Sequence, residues 1–235
     1  MSVGAIIPAF NEASNIQAVI LELGKLQNPP DVIVIDDGSL DQTAELARSA
    51  GACVVRLPFN SGIGAAVQTG LRLALDRGYE SIVRIDGDAQ HDARDLPRLL
   101  ERLKNEQADF VLGSRYLEKQ GFQATILHRL GIRWFCLLLR LVSGLRVTDP
   151  TSGFWAANRR AAELLLADYS SDYPEVDSLV HLSQSGCTVE EVAVAMRPRV
   201  AGRSSIKGAR MLYYMIKVTI ALLVGRLRPG RSRES

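Results

Sequence analysis

The first half of the chain alternates short apolar runs with longer amphipathic stretches. Short runs rich in Val, Ile and Leu predict strands, and apolar residues recurring every three to four positions predict helices. The predicted strands are Val3–Ile7, Val32–Ile35, Cys53–Leu57, Ile82–Ile85 and Phe110–Leu112. The predicted helices are Glu12–Leu26, Asp41–Ala50, Gly62–Arg77 and Leu96–Asn105. This alternation indicates βαβ units and a doubly wound α/β fold with a mostly parallel central sheet.

The pattern changes after Tyr116, where two long apolar helices are predicted at Ile126–Leu145 and Ala209–Val224. Each carries basic residues four or seven positions apart, and therefore on one face: Arg129, Arg133 and Arg140 in the first, Arg210 and Lys217 in the second. Such a cationic stripe is typical of a helix lying in a membrane interface. It also suits a core or oligomer-interface helix whose basic side chains reach water.

Composition favours a folded chain with an anionic partner. The 235 residues are 47% hydrophobic and 23% charged, which suits one compact domain. The net charge of +2 hides a basic end, since ten Lys or Arg and one acidic residue follow position 196. Lipid headgroups or phosphates would complement that end. We expect a main domain at 1–207, which includes the helix at 126–145, and a basic helix and tail at 208–235.

The cysteines and the apolar segments indicate the cellular compartment in which the protein is expected. The three cysteines are widely separated, so neither a disulfide framework nor a zinc site is indicated and a reducing cytosolic compartment is expected. Charged residues interrupt every apolar stretch before it reaches the roughly 20 residues needed to span a bilayer. The sequence therefore predicts a protein without a membrane span of its own.

The most informative polar motif is Asp86-Gly87-Asp88-Ala89-Gln90-His91, directly after a predicted strand. Two carboxylates separated by one residue can converge on one hard cation, and Gln90 can add a neutral oxygen ligand. Oxygen ligands with room for water and phosphates suit Mg²⁺ or Mn²⁺. Ligands collect at this edge of a doubly wound sheet, so the motif predicts a cation site.

Two further motifs follow neighbouring strands. Asp36 and Asp37 are adjacent carboxylates whose mutual repulsion requires that at least one has a donor, a cation or a nucleotide group beside it. The glycine-containing segment Asn60–Ala66 precedes a helix. Its backbone N–H groups could hold an anion, or its glycines could serve close helix packing.

Together these motifs resemble family 2 glycosyltransferases of the GT-A fold, in the branch of dolichyl- and polyprenyl-phosphate sugar synthases. Six motifs occur in the family's order and the resemblance covers about residues 3 to 207. They are PAFNE (Pro8–Glu12), IDDGSLDQT (Ile35–Thr43), NSGIGAA (Asn60–Ala66), DGDAQH (Asp86–His91), GSRY (Gly113–Tyr116) and TDPTSGF (Thr148–Phe154). The resemblance implies a Rossmann-like nucleotide-sugar-binding fold with added amphipathic interface helices.

The resemblance also implies roles for individual residues. The nucleotide sugar would contact Pro8, Asn11, Glu12, Asp36, Asp37, Asp86 and Arg199. The cation would be held by Asp86, Asp88 and Gln90. Arg115 would lie near the sugar and the leaving phosphates. The acceptor phosphate would be held by Arg133, Ser152 and Lys207. Lys207 or Arg203 would stand in for a lysine that the family carries slightly earlier.

The expected activity is an inverting, Mg²⁺- or Mn²⁺-dependent transfer of a hexose from a UDP-, GDP- or dTDP-linked donor to a polyprenyl phosphate. It would occur on the inner face of the cell membrane, where a small membrane protein could supply an anchor and the chain could form a homo-oligomer. Asp88, Arg115 and Asp177 are the candidate catalytic residues. If the acceptor is instead a sugar hydroxyl, Glu175 and Asp177 are the two candidate bases, and Asp177 aligns with an acidic residue of the family. A non-catalytic nucleotide-sugar-binding subunit is the other alternative, and nucleic-acid binding is not indicated.

Overall fold

The computed structural model describes residues 2–105, 108–118, 126–169, 174–197 and 217–220. Within these ranges the strands are β1 (Val3–Ala9), β2 (Asp31–Asp36), β3 (Cys53–Arg56), β4 (Ser81–Arg84), β5 (Phe110–Ser114), β6 (Trp155–Asn158) and β7 (Val189–Ala193). The helices are α1 (Ile16–Gly24), α2 (Thr43–Ser49), α3 (Ile63–Asp76), α4 (Leu96–Lys104), α5 (Ile126–Ser143), α6 (Arg159–Ala167) and α7 (Pro174–Gln184). A 3₁₀ turn at Ala93–Asp95 leads into α4.

The strands form one sheet in the order β3-β2-β1-β4-β6-β5-β7. Only β6 is antiparallel to its neighbours, β4 and β5, among the strands described. The other strands all run the same way and end at one edge of the sheet. Because β6 runs in the opposite direction, it begins at that same edge. The predicted mostly parallel α/β fold is confirmed.

Helices cover both faces of the sheet because strand residues alternate between two cores. On one face, Ile6 of β1 packs in a core that includes residues of α3, α5, α6 and α7. On the other face, Ile7 packs in a core that includes residues of α1, α2 and α4. A Cβ at Gly70 would lie 2.9 Å from Ile6 Cγ2, so the glycine lets α3 pack closely on β1. Because helices cover both faces of the sheet, the candidate functional residues lie at its edge.

The region after position 145 contains elements that the hydrophobic pattern did not predict: β6, α6, α7 and β7. Strand β6 reads Trp-Ala-Ala-Asn, in which alanine has low strand propensity. Strand β7 carries two glutamates, and Glu191 is held there because its carboxylate accepts hydrogen bonds from the N–H groups of Thr148 and Asp149. Tertiary pairing therefore overrides local preference in this half of the sheet.

Helix α5 confirms the predicted helix and ends two residues earlier, at Ser143, beside Gly144 with φ 74°. Its inner face packs into the core through Phe135 and Leu139. Its outer face exposes a line of large apolar side chains: Leu130, Trp134, Leu137 and Leu141. Within the described ranges, no helix is both long and apolar enough to cross a bilayer. Most of the helix predicted at 209–224 lies outside the described residues.

Candidate active site

A cleft of about 380 Å³ opens at the carboxyl ends of β1 and β4. These are the strands between which the strand order reverses, the place where doubly wound sheets bind ligands. Its volume lies in the range of small-molecule sites. The predicted site residues in its wall are Pro8, Glu12, Asp37, Asp86 and Asp88. Asn60, Gly62, Ile63 and Ala66 line the cleft as well, so four of the six sequence motifs meet at one concave surface.

The loops after β1 and β2 are joined by hydrogen bonds that shape this cleft. The N–H of Asn11 donates to Ser39 Oγ at 2.9 Å, and the N–H of Leu40 donates to Asn11 Oδ1 at 2.9 Å. The N–H of Glu12 donates to Thr43 Oγ1 at 2.9 Å. Asn11 also adopts φ 55°, a left-handed conformation that asparagine tolerates. Asn11 therefore acts on the site by holding the two loops together.

The two adjacent aspartates at the end of β2, Asp36 within the strand and Asp37 directly after it, have different partners. Asp36 is fully buried; its Oδ1 accepts from the N–H of Ser39, and its Oδ2 lies 3.3 Å from Arg56 Nε. Asp37 accepts from the N–H groups of Ser61 at 2.7 Å and Gly62 at 2.9 Å. Both carboxylates are paired, as their proximity requires. The anion that these two N–H groups hold is thus Asp37, which fixes the start of α3 beside the cleft.

The turn after β4 places Asp86 and Asp88 in the cleft wall. Asp86 Oδ1 accepts from Arg84 Nη2 at 3.1 Å, and Asp88 Oδ1 accepts from the N–H of Gln90 at 3.1 Å. Burial alone would raise the pKa of Asp86, but the charge of Arg84 lowers it below its ordinary value. The turn needs φ 60° at Ala89, which costs free energy for a residue with a Cβ. The turn therefore keeps Asp86 ionised and holds Asp88 close to it on a strained backbone.

This pair of carboxylates fits one kind of metal site. Across the described ranges, no group of three or more His, Cys, Asp or Glu side chains is arranged to hold a metal ion. A closed structural site is therefore not indicated there. Mg²⁺ commonly keeps several waters and binds through one or two carboxylates together with substrate phosphates. Asp86 and Asp88, side by side in a cleft, match that open arrangement.

Gln90 contacts the segment after β7. Its side-chain amide nitrogen donates to the backbone carbonyl oxygen of Arg197 at 3.4 Å, and its backbone carbonyl oxygen accepts from the N–H of Arg197 at 2.7 Å. Arg197 is fixed in turn by ion pairs with Glu22 at 2.7 Å and Asp92 at 3.0 Å. Gln90 thus ties residues 194–197 to the acidic turn, and its role as a cation ligand remains a prediction.

Arg115, at the end of β5, is clamped by the loop before β6. Its Nε and Nη2 donate to the two oxygens of the fully buried Asp149 at 2.5 and 2.6 Å, and Nη2 also donates to Thr151 Oγ1 at 3.0 Å. Burial alone would lower the pKa of Arg115, but the bonds to Asp149 raise it overall. The charge of Arg115 also helps to lower the pKa of Asp86. Arg115 is therefore permanently charged, and its guanidinium has a fixed orientation.

The same loop lies directly against the acidic turn. A Cβ at Gly153 would lie 2.2 Å from Asp86 Oδ2, so any side chain there would displace the Asp86 carboxylate. The neighbouring Ser152 is buried, and its Oγ accepts from the N–H of Phe154 at 3.2 Å. The loop before β6 thus contacts Asp86 through Gly153, while the acceptor role of Ser152 remains a prediction.

The other predicted residues lie further from the acidic turn or outside the described residues. Arg133 is exposed on the outer face of α5. Asp177, on α7, has its pKa raised first by burial and then by the charge of Asp168. The α7 carboxylate that connects to the cleft is Glu175, because it pairs with Arg84. Arg199 and Lys207 lie outside the described residues.

Sequence reasoning missed Arg84 as a site residue. A charge within the apolar run Ile82–Ile85 was the available signal, because a buried strand does not carry an arginine without partners. Those partners are Asp86, Glu175 and Tyr169.

Comparison with known proteins supports the family that the sequence motifs resemble. The family model described as Glycosyl transferase family 2 matches residues 5–166. An undecaprenyl-phosphate mannosyltransferase of Micrococcus luteus is 32% identical, covering 99% of each chain. A polyprenol monophosphomannose synthase of Mycolicibacterium smegmatis is 28% identical, covering 96% of this chain and 89% of the relative. The crystal structure of glucosyl-3-phosphoglycerate synthase from Mycobacterium tuberculosis with Mg²⁺ and UDP has a TM-score of 0.74 and 25% identity, covering 98% of this chain and 81% of that chain.

Gly153→Ala should weaken cation binding at least about tenfold, because the new methyl group would displace the Asp86 carboxylate. Electron paramagnetic resonance titration with Mn²⁺ and a nucleoside diphosphate measures this affinity. Gly24→Ala is the matched control, since nothing lies within 4 Å of the added Cβ. Equal affinity in the two folded variants would contradict the contact.

Ala89→Gly should raise the free energy of unfolding by about 0.5–1 kcal/mol, because relief of the left-handed strain exceeds the entropy that glycine adds to the unfolded chain. Urea denaturation measures the change. Ala50→Gly, at φ −83°, is the control and should be destabilising. A loss of stability in both variants would show that Ala89 is not strained.

Proposed function

Because this chain belongs to glycosyl transferase family 2, we propose that it transfers a hexose from a nucleotide-diphosphate sugar to a polyprenyl phosphate, using Mg²⁺ or Mn²⁺ and inverting the anomeric centre. The observation that carries the proposal is the pair Asp86 and Asp88 in the cleft wall at the strand-order reversal. The names of the two curated relatives, a polyprenyl-phosphate mannosyltransferase and a monophosphomannose synthase, support the acceptor class.

The donor would bind with its nucleoside between the loops after β1 and β2 and its diphosphate beside the acidic turn. Pro8, Glu12 and Asp37 line the first of these regions, and Asp86 and Asp88 line the second. The neighbouring structure of glucosyl-3-phosphoglycerate synthase contains Mg²⁺ and UDP, which supports a cation and a nucleoside diphosphate as the ligand class. The base remains open among uracil, guanine and thymine.

Departure of the nucleoside diphosphate is the step at which negative charge builds up. A divalent cation held by Asp86 and Asp88, with Gln90 as a further candidate ligand, would supply positive charge there. Arg115 adds a second positive charge, preorganised because two of its nitrogens are bound by Asp149. Its remaining Nη1 lies 3.7 Å from the weakly accepting sulfur of Met196 and would be the nitrogen that turns to an anionic substrate. Arg199 would add to this charge.

A phosphate acceptor carries its own negative charge, so direct attack needs no strong general base. Arg133 and Lys207, with Ser152, are the residues proposed to hold that phosphate. The loop before β6 would lie next to both substrates, because it contacts Arg115 through Asp149 and Asp86 through Gly153. The donor sugar and the acceptor phosphate would therefore bind beside the same rigid loop.

The outer face of α5 is the proposed membrane-contact surface, defined by Leu130, Trp134, Leu137 and Leu141. These apolar side chains are 41–60% exposed and recur at helical spacing, and Arg133 and Arg140 are exposed beside them. Apolar residues with flanking arginines suit the boundary between headgroups and acyl chains of an anionic bilayer. A peripheral position on the inner face of the cell membrane would bring a polyprenyl phosphate to the cleft. A small membrane protein could strengthen this contact.

One observation favours a second acceptor class. Burial raises the pKa of Asp177, and a carboxylate with a raised pKa is suited to take a proton from a sugar hydroxyl. Transfer to a soluble glycan that is lost in Asp177→Asn, with no transfer to a polyprenyl phosphate, would favour this alternative.

Asp88→Asn should reduce transfer of a hexose to undecaprenyl phosphate at least about 100-fold, because one of the two cation-holding carboxylates is lost. The assay uses UDP-, GDP- and dTDP-linked hexoses with Mn²⁺, and radiolabel in the lipid phase measures transfer. Asp76→Asn, at an exposed position on α3, is the control. Full transfer after removal of Mg²⁺ and Mn²⁺ by EDTA would exclude the proposed cation dependence.

Truncating Trp134, Leu137 and Leu141 to alanine should reduce co-sedimentation with phosphatidylglycerol vesicles at least about tenfold, because less apolar surface can enter the interface. Leu21→Ala, which shortens an exposed leucine on α1, is the control. Vesicle binding that survives the triple substitution, together with loss of a dimer in sedimentation analysis, would assign this face to an oligomer instead.

A further inference from the structure

Arg84 is a charged residue in the middle of the sheet. It lies on β4, between β1 and β6, and its side chain is 2% exposed. An arginine in such a place needs partners for its charge, because the protein interior solvates an isolated ion poorly. Its Nη2 donates to Asp86 Oδ1 at 3.1 Å, and its Nη1 donates to Glu175 Oε1 at 3.0 Å and to the hydroxyl of Tyr169 at 3.3 Å. One guanidinium therefore links the cleft to α7.

The Asp86 carboxylate is fixed from both sides by these neighbours. Arg84 holds Oδ1, while Oδ2 lies against the Cα of Gly153 and 3.9 Å from His91 Nε2. A ligand whose orientation is fixed in advance binds a cation at a lower entropic cost. Arg84 thus fixes the orientation of the Asp86 carboxylate.

The same arginine also brings a positive charge next to a place that would bind a cation. Burial alone would lower the pKa of Arg84, but the charges of Asp86 and Glu175 raise it, so the group stays protonated. Its positive charge would repel a cation unless another anion balanced it. Glu175 supplies that anion from the far side of the guanidinium.

We propose that Arg84 and Glu175 form a positioning pair for the cation site, in which Arg84 orients Asp86 and Glu175 neutralises Arg84 so that the cleft still attracts a divalent cation. The inference rests on the proposed function, since it assumes that Asp86 holds the cation. Neither residue is assigned a contact with substrate.

The Glu175→Gln variant separates charge from shape. The amide oxygen can still accept from Arg84 Nη1, but the balancing negative charge is gone. The dissociation constant for Mn²⁺, measured by electron paramagnetic resonance with UDP and with GDP present, should therefore rise about tenfold. Transfer activity should recover at high Mn²⁺ concentration, which a fold defect would not allow. Glu163→Gln, which removes the same charge at an exposed ion pair of α6, should leave both readouts unchanged.

A second variant tests the orienting half of the proposal. Arg84→Lys keeps the charge but cannot reach Asp86 and Glu175 together with two nitrogens, so Mn²⁺ should again bind about tenfold more weakly. Unchanged affinity in either folded variant, with Mn²⁺ binding intact in the unsubstituted protein, would overturn the positioning pair and leave the proposed transferase function standing. Absence of Mn²⁺ binding in the unsubstituted protein would overturn both.

Discussion

Negative charge gathers at one edge of this sheet, and the structure depends on how it is balanced. Aspartates follow β2 and β4 and precede β6, and each lies in or next to the buried interior. Repulsion between them and the loss of hydration would unfold the edge unless each had a donor. The donors differ: Arg56 for Asp36, backbone N–H groups for Asp37, Arg84 for Asp86 and Arg115 for Asp149.

The hydrogen bonds and ion pairs of these aspartates stabilise the loops around the cleft and also fix the positions of those loops. Asp37 fixes the start of α3, and Asp149 aims Arg115 from a loop distant in sequence. The cleft wall still carries four carboxylates, those of Glu12, Asp37, Asp86 and Asp88. A polyanionic substrate can bind beside them only with a counter-ion of its own, which is the physical reason for a divalent cation in such a site.

Much of the first half of the fold could be predicted from sequence because its information is local. The strands up to β5 are mainly apolar runs, and the polar motifs follow them directly, so the edge rule for doubly wound sheets predicted that Asp86 and Asp88 lie at the carboxyl edge, where the structure has them. The second half is different. Strand β6 is short and alanine-rich, and its place between β4 and β5 follows from long-range pairing. The link from Arg84 to Glu175 joins residues 91 positions apart, which no periodicity reveals.

The position of β6 also has a consequence for how the chain reaches its native state. Strand β5 pairs with β6 and β7, both of which come later in the chain. During synthesis, the apolar segment Phe110–Ser114 therefore leaves the ribosome with neither of its hydrogen-bonding neighbours yet made. Such non-local pairing is slow, and an unpaired apolar strand is prone to associate with other chains. The strand that leads to Arg115 is thus also the part that a chaperone would most need to shield.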